Sequence, residues 1–114
     1  MVAPTKTKVE QNDGVAVMRF EGDITSVSED AVLGKYQKLP ENTSKVVLDF
    51  SKVPYLNSSG IALVIQLMIA ANKSSRTVAC FGLSAHFVKV FKMLGLAKYT
   101  TIYDNESAAR AAGA

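Results

Sequence analysis

An α/β fold built on a mostly parallel sheet is the class this sequence predicts, and three observations predict it. Short β-rich runs alternate with helix-length apolar segments along the chain. Parallel strands need crossovers of about a dozen residues, so this alternation calls for helices between them. Asn12-Asp13-Gly14 is a hairpin-type turn between two β-rich runs, which adds an antiparallel edge. Finally, 114 residues with 48% hydrophobic and 20% charged content suit one globular domain spanning 1–114 and exclude a disordered chain.

The elements follow in order. Thr7-Lys8-Val9-Glu10 is the short partner of the run at 15–20 across the glycine turn. Glu21-Gly22-Asp23-Ile24-Thr25 is polar and glycine-broken, hence a loop. From about Ser28, with Glu29 and Asp30 in a first turn, Ala31, Val32, Leu33, Tyr36 and Leu39 recur at helical spacing until Pro40. Residues 45–50 are a nearly continuous apolar run, as in a strand covered on both faces. Pro54 cannot donate to a ladder, so 51–56 is a connection.

Asn57-Ser58-Ser59-Gly60 then opens a helix carrying Ile61, Leu63, Val64, Ile65, Leu67, Met68 and Ile69. Asn57 or Ser58 is its cap. Being apolar nearly all round, it is expected to be buried against the sheet. Residues 76–81 form the next strand. Ser84 caps a helix with Phe87, Val88, Phe91, Met93 and Leu94 as its apolar face and Gly95 as its end. Residues 99–103 are a last short strand, and Asn105-Glu106-Ser107 caps an alanine-rich helical tail to Ala114.

Composition narrows the function. Residues 1–60 carry seven Lys/Arg against eight Asp/Glu, and 61–114 six against two. The excess cations are scattered and not interleaved with aromatics, which argues against a nucleic-acid reader. A single Cys precludes an internal disulfide and suits a reducing cytoplasm. The apolar run at 61–71 is too short to span a bilayer, and the first fourteen residues lack a signal-peptide core. The expected protein is cytoplasmic, with no membrane insertion.

Chemistry-bearing constellations are sparse. Cys80 and His86 are alone in their types, so no Cys/His metal cluster is expected. They stand near one strand-to-helix junction as a conceivable nucleophile pair, but Cys80 alternates into a strand core. Ser58, His86 and Asp49 or Asp23 can be drawn as a triad, although Asn-Ser-Ser-Gly is not a nucleophile elbow. The dispersed glycines spell no phosphate-binding loop. Neither an enzyme nor a cofactor is expected.

The stretch VVLDFSKVPYLNSSGIALVIQLM, residues 46–68, resembles the STAS family, the sulfate-transporter and anti-sigma-factor-antagonist domains. The family pattern is a V-V-L-D-L strand, a short connection, then D-S-S-G opening a helix. Phe20-Glu21-Gly22-Asp23-Ile24 is similar to the family's G-E-L-D or G-D-I-D segment. Residues 85–96, AHFVKVFKMLGL, look like its V-x-x-x-F-x-x-x-G-L helix. Together the three segments cover nearly the whole chain. The resemblance implies the STAS fold: a four-to-five-stranded mixed sheet with about four helices.

It also implies a switch. Stand-alone members similar to this chain are anti-anti-sigma factors in bacterial partner switching. Unphosphorylated, such a protein binds an anti-sigma factor that is also a serine kinase. Phosphorylation of the first serine of the motif breaks the complex, and a serine phosphatase restores it. That acceptor falls on Ser58, and the resemblance places the partner-binding surface on Asp23, Ile24, Thr25, Asn57, Ser58, Ser59 and Gly60. Gly60 would let a partner backbone approach closely.

Two departures from the pattern make the docking loop less acidic. Asn57 replaces the usual Asp, and Thr25 replaces the Asp of G-E-L-D. Two alternatives stay open: a non-phosphorylated STAS subunit of a stress-signalling scaffold or lipid-transport complex, and a small hydrolase using Ser58.

Overall fold

The computed structural model describes residues 5–111. Five strands form one sheet in the order β1 (Lys6–Asn12), β2 (Val15–Glu21), β3 (Lys45–Lys52), β4 (Thr77–Phe81) and β5 (Thr101–Tyr103). β1 and β2 are antiparallel, and every later pairing is parallel. The hairpin turn explains the antiparallel pair. Asp13 and Gly14 both have positive φ, 50° and 80°, a two-residue geometry whose twist matches the flanking strands.

Strand alternation sorts side chains onto two faces. Met18, Phe20, Leu48, Phe50, Val78 and Cys80 belong to the main core, with helices α2 (Ser58–Lys73) and α3 (Ala85–Met93) over them. Phe50 is its centre, stacked on Phe20 at 5.5 Å and edge-on to Phe91 at 6.0 Å. Val17, Val47, Ala79 and Phe81 line the other face, where Ala109 of α4 (Glu106–Ala111) closes a smaller cluster.

A six-residue helix is marginal alone, and α4 is held by charge. Arg19 of β2 donates two bonds to the Glu106 carboxylate, at 2.7 and 3.0 Å, and a third to Asp49 at 3.0 Å. Arg110 closes on Glu106 at 2.7 Å, and Lys45 Nζ donates to the Arg110 carbonyl at 3.0 Å. The expected tail beyond Ala111, at 112–114, lies outside the described residues.

Three expectations need correction. The first helical segment begins at Ser26, not Ser28: a 3₁₀ turn (Ser26–Ser28), a π-helical turn (Asp30–Gly34) and α1 (Lys35–Gln37) run together. Thr25 caps it reciprocally, accepting from the Val27 N–H while Ser28 Oγ accepts from the Thr25 N–H. Helix α2 is not buried all round. Leu63, Val64, Leu67, Met68 and Ala71 face the core, whereas Ile61, Ile65 and Ile69 are half-buried and Ala62 and Gln66 exposed. The third correction is at the end of α3, where Leu94 is 51% exposed and Met93 85%. Met93 lies two residues, about 200°, round the helix from buried Phe91.

Candidate functional site

Functional loops of such sheets gather at the carboxyl ends of parallel strands. Here the segments leaving β2 and β3 are sewn together there. Gly22 donates to the Lys52 carbonyl, Ile24 to that of Tyr55 at 3.0 Å, and Asn57 back to that of Ile24 at 3.2 Å. Ile24 and Leu56 thus form a parallel bridge beyond the strands. Both are apolar and buried, which is why the two loops close on each other.

Helix α2 grows out of this seam. Asn57 is the cap: its Oδ1 accepts from the Gly60 N–H at 2.8 Å, and its carbonyl from that of Ile61 at 2.9 Å. The open choice between Asn57 and Ser58 is therefore settled in favour of Asn57. Ser58 and Ser59 are the first two helical residues, both exposed. Their N–H groups have no intrahelical acceptor, and the first turn contains no acidic side chain. The positive end of a sixteen-residue helix is left uncompensated around the Ser58 hydroxyl.

All seven expected partner-binding residues meet along this rim, but in different roles. Ser58 and Ser59 reach solvent, and Asp23, Thr25 and Asn57 do so partly. Ile24 is wholly buried, so its side chain cannot touch a partner. Gly60 is buried as well, and the close approach it permits is internal. A Cβ there would lie 1.9 Å from the Ile24 carbonyl oxygen. Thr25 is engaged as a cap, and the Asp23 carbonyl accepts from Thr5 Oγ1 at 2.7 Å.

Two apolar side chains on the flanking segments extend the rim. Val27 is 77% exposed on the turn after the first loop, and that turn packs on α2. Tyr55 is 51% exposed beside Pro54, with its ring edge-on to Phe87 at 6.2 Å. Sequence reasoning missed both. The available signals were a valine between two serines, and a tyrosine in a proline connection just before the motif.

The nucleophile arrangements drawn on sequence are not assembled. Burial pushes the Cys80 thiol up to about 11, and its Sγ faces Thr100 Oγ1 at 3.8 Å, not His86, which is exposed on α3. Asp49 accepts from Arg19 and from the Ser51 N–H on the α4 side of the sheet, away from α2. No described helix is long and apolar enough to cross a membrane.

The described residues form an α/β domain that presents two exposed serines, Ser58 and Ser59, at a helix start on the rim beyond β2 and β3. The STAS domain family matches residues 6–109, and the chain belongs to it. Among solved structures it is similar to an anti-sigma factor antagonist from Mycobacterium paratuberculosis, at 24% identity and TM-score 0.77 over 98% of this chain and 97% of that one. Bacillus SpoIIAA in its phosphorylated form matches at 19% identity and TM-score 0.70, over 90% and 95% of the two chains. A variant of RsbS from Moorella thermoacetica matches at 12% identity and TM-score 0.71, over 91% of each.

Proposed function

We propose that this chain is an anti-sigma factor antagonist of a partner-switching pathway, with Ser58 as the switch. Unphosphorylated, it binds an anti-sigma factor that is a serine kinase. Phosphorylation at Ser58 releases that partner, and a serine phosphatase resets it. The observation that carries this reading is the exposed Ser58 hydroxyl at the uncompensated N-terminus of α2, with the capping duty taken by Asn57.

The physics supports a switch that spares the fold. A phosphate adds about −1.5 to −2 charge. At this position that charge meets free amide donors and a favourable dipole, so the domain can carry it. A partner docked across Ser58, Val27 and Tyr55 would have to desolvate it, so the interface cannot. The likeness to SpoIIAA, solved phosphorylated, is in keeping with this.

Asn57 favours a second reading. Its neutral amide stands where the family motif has a carboxylate, which suits a subunit that docks without a kinase cycle. Affinity capture from native lysate, read by mass spectrometry, separates the two. The proposal expects a histidine-kinase-like ATPase protein to co-purify with wild type and to be lost with Ser58→Asp. Recovery of scaffold or transporter subunits alone, unaffected by Ser58→Asp, would refute it.

A further inference from the structure

The two edges of the sheet differ in a way the rim does not explain. β1 carries Lys6, Lys8 and Glu10, charges of the kind that discourage edge-to-edge pairing. β5 is Thr101-Ile102-Tyr103, uncharged, with β4 as its one neighbour in the sheet. Beside that open edge lies a mostly apolar groove between β5 and α3, lined by Phe91, Lys92, Ala97, Thr100, Thr101 and Ile102.

Charge says what would fill it. After residue 60 the chain has six cations but only Asp104 and Glu106 as acids, and Glu106 is taken by Arg19 and Arg110. Lys92 lines the groove and Lys98 stands beside its Ala97, Thr100 and Thr101; both lysines are exposed, and neither has a carboxylate partner among the described residues. Met93 and Leu94, 85% and 51% exposed, adjoin Lys92. A second copy would bring the same lysines together, which like-charge repulsion opposes.

We propose that the β5 edge and its groove take an extended, acidic segment of a partner protein as a sixth strand. Main-chain bonds to β5 supply affinity. An apolar side chain enters the groove, and carboxylates two residues to either side of it, on the same face of the added strand, meet the lysines. The groove lies on the edge strand β5, two strands along the sheet from β3, whose exit loop carries Ser58, and none of its lining residues belongs to that seam. This surface is therefore independent of the Ser58 reading.

The test is an NMR titration of the full ¹⁵N-labelled chain with the blocked seven-residue peptide Thr-Glu-Thr-Val-Thr-Glu-Thr, whose valine and two glutamates share one face of an extended strand. A second peptide with lysine for glutamate is the control. The acidic peptide should shift amides at 101–103 and 91–97. It should bind at least about tenfold more tightly than the lysine peptide and weaken with salt. Lys92→Glu and, separately, Lys98→Glu, both surface changes, should each lower affinity several-fold, while Ser58→Asp leaves it unchanged. Equal binding of both peptides, shifts confined to the Ser58 rim, or no shift at all would overturn the proposal. So would concentration-dependent β5 shifts without peptide, the sign of self-association, or vesicles of anionic phosphatidylglycerol shifting these amides when the peptide does not.

Discussion

A methyl group added at Gly60 would sit 1.9 Å from the Ile24 carbonyl oxygen, a backbone atom that cannot move without parting the two loops. Gly60→Ala should therefore destabilise the domain by about 1–3 kcal/mol in urea unfolding, the usual cost of overpacking. Wild-type stability in Gly60→Ala would mean that the loops are not in contact. Cys80 makes a second test at this scale. Buried, and with its thiol pushed up to about 11, it should react with a disulfide reagent at pH 8 only as fast as the protein unfolds. At the residue scale the motif was legible but its division of labour was not. Asn57 and Ser58 both cap helices well, and only the bond from the Gly60 N–H decides between them. The inward role of Gly60 depends on Ile24, thirty-six positions earlier, which no local pattern reveals.

At the scale of the element, α2 has an inner and an outer side, and charge should distinguish them. Leu67→Asp, fully buried, should unfold the domain or cost several kcal/mol. Ile65→Asp, on the half-buried side, should leave it folded and measurably weaker by circular dichroism melting. Equal effects would mean that α2 is misplaced. Its apolar residues were readable from sequence, but their number hid the outer stripe, because three isoleucines there look like core.

Helix α4 should respond to acid. Bonds from Arg19, and then from Arg110, hold the Glu106 carboxyl down at about 2 against an ordinary 4.5. A carboxylate whose folded-state pKa is depressed contributes stability that is complete above its unfolded value and is lost as pH falls through the folded one. The stability difference between wild type and Glu106→Gln should thus be constant above about pH 5, at about 1 kcal/mol for a partly exposed pair. It should shrink between 4.5 and 2. A difference that grew on acidification would contradict the latch.

The whole molecule was more legible than its parts. Alternating strands and helices with one glycine hairpin suffice for a parallel sheet with an antiparallel edge, and they do not depend on any single boundary. The π-turn at Asp30–Gly34 and the latch of α4 were not legible. One is a backbone irregularity without a pattern of its own, and the other is an ion pair between residues 19 and 106.

At this scale the central claim is that one serine changes what the molecule binds without changing what it is. Ser58→Asp should keep the wild-type melting behaviour or gain about 0.3–1 kcal/mol, since a negative charge suits the start of α2. Titration calorimetry of the captured kinase partner against wild type, Ser58→Ala and Ser58→Asp, with mass-spectrometric mapping of the phosphate it transfers, tests this most directly. The expected result is tight binding by wild type and Ser58→Ala, loss of binding by folded Ser58→Asp, and phosphate on Ser58, with Ser59→Ala still modified. Phosphate on Ser59 or Thr25, or a Ser58→Asp protein that binds like wild type, would contradict it.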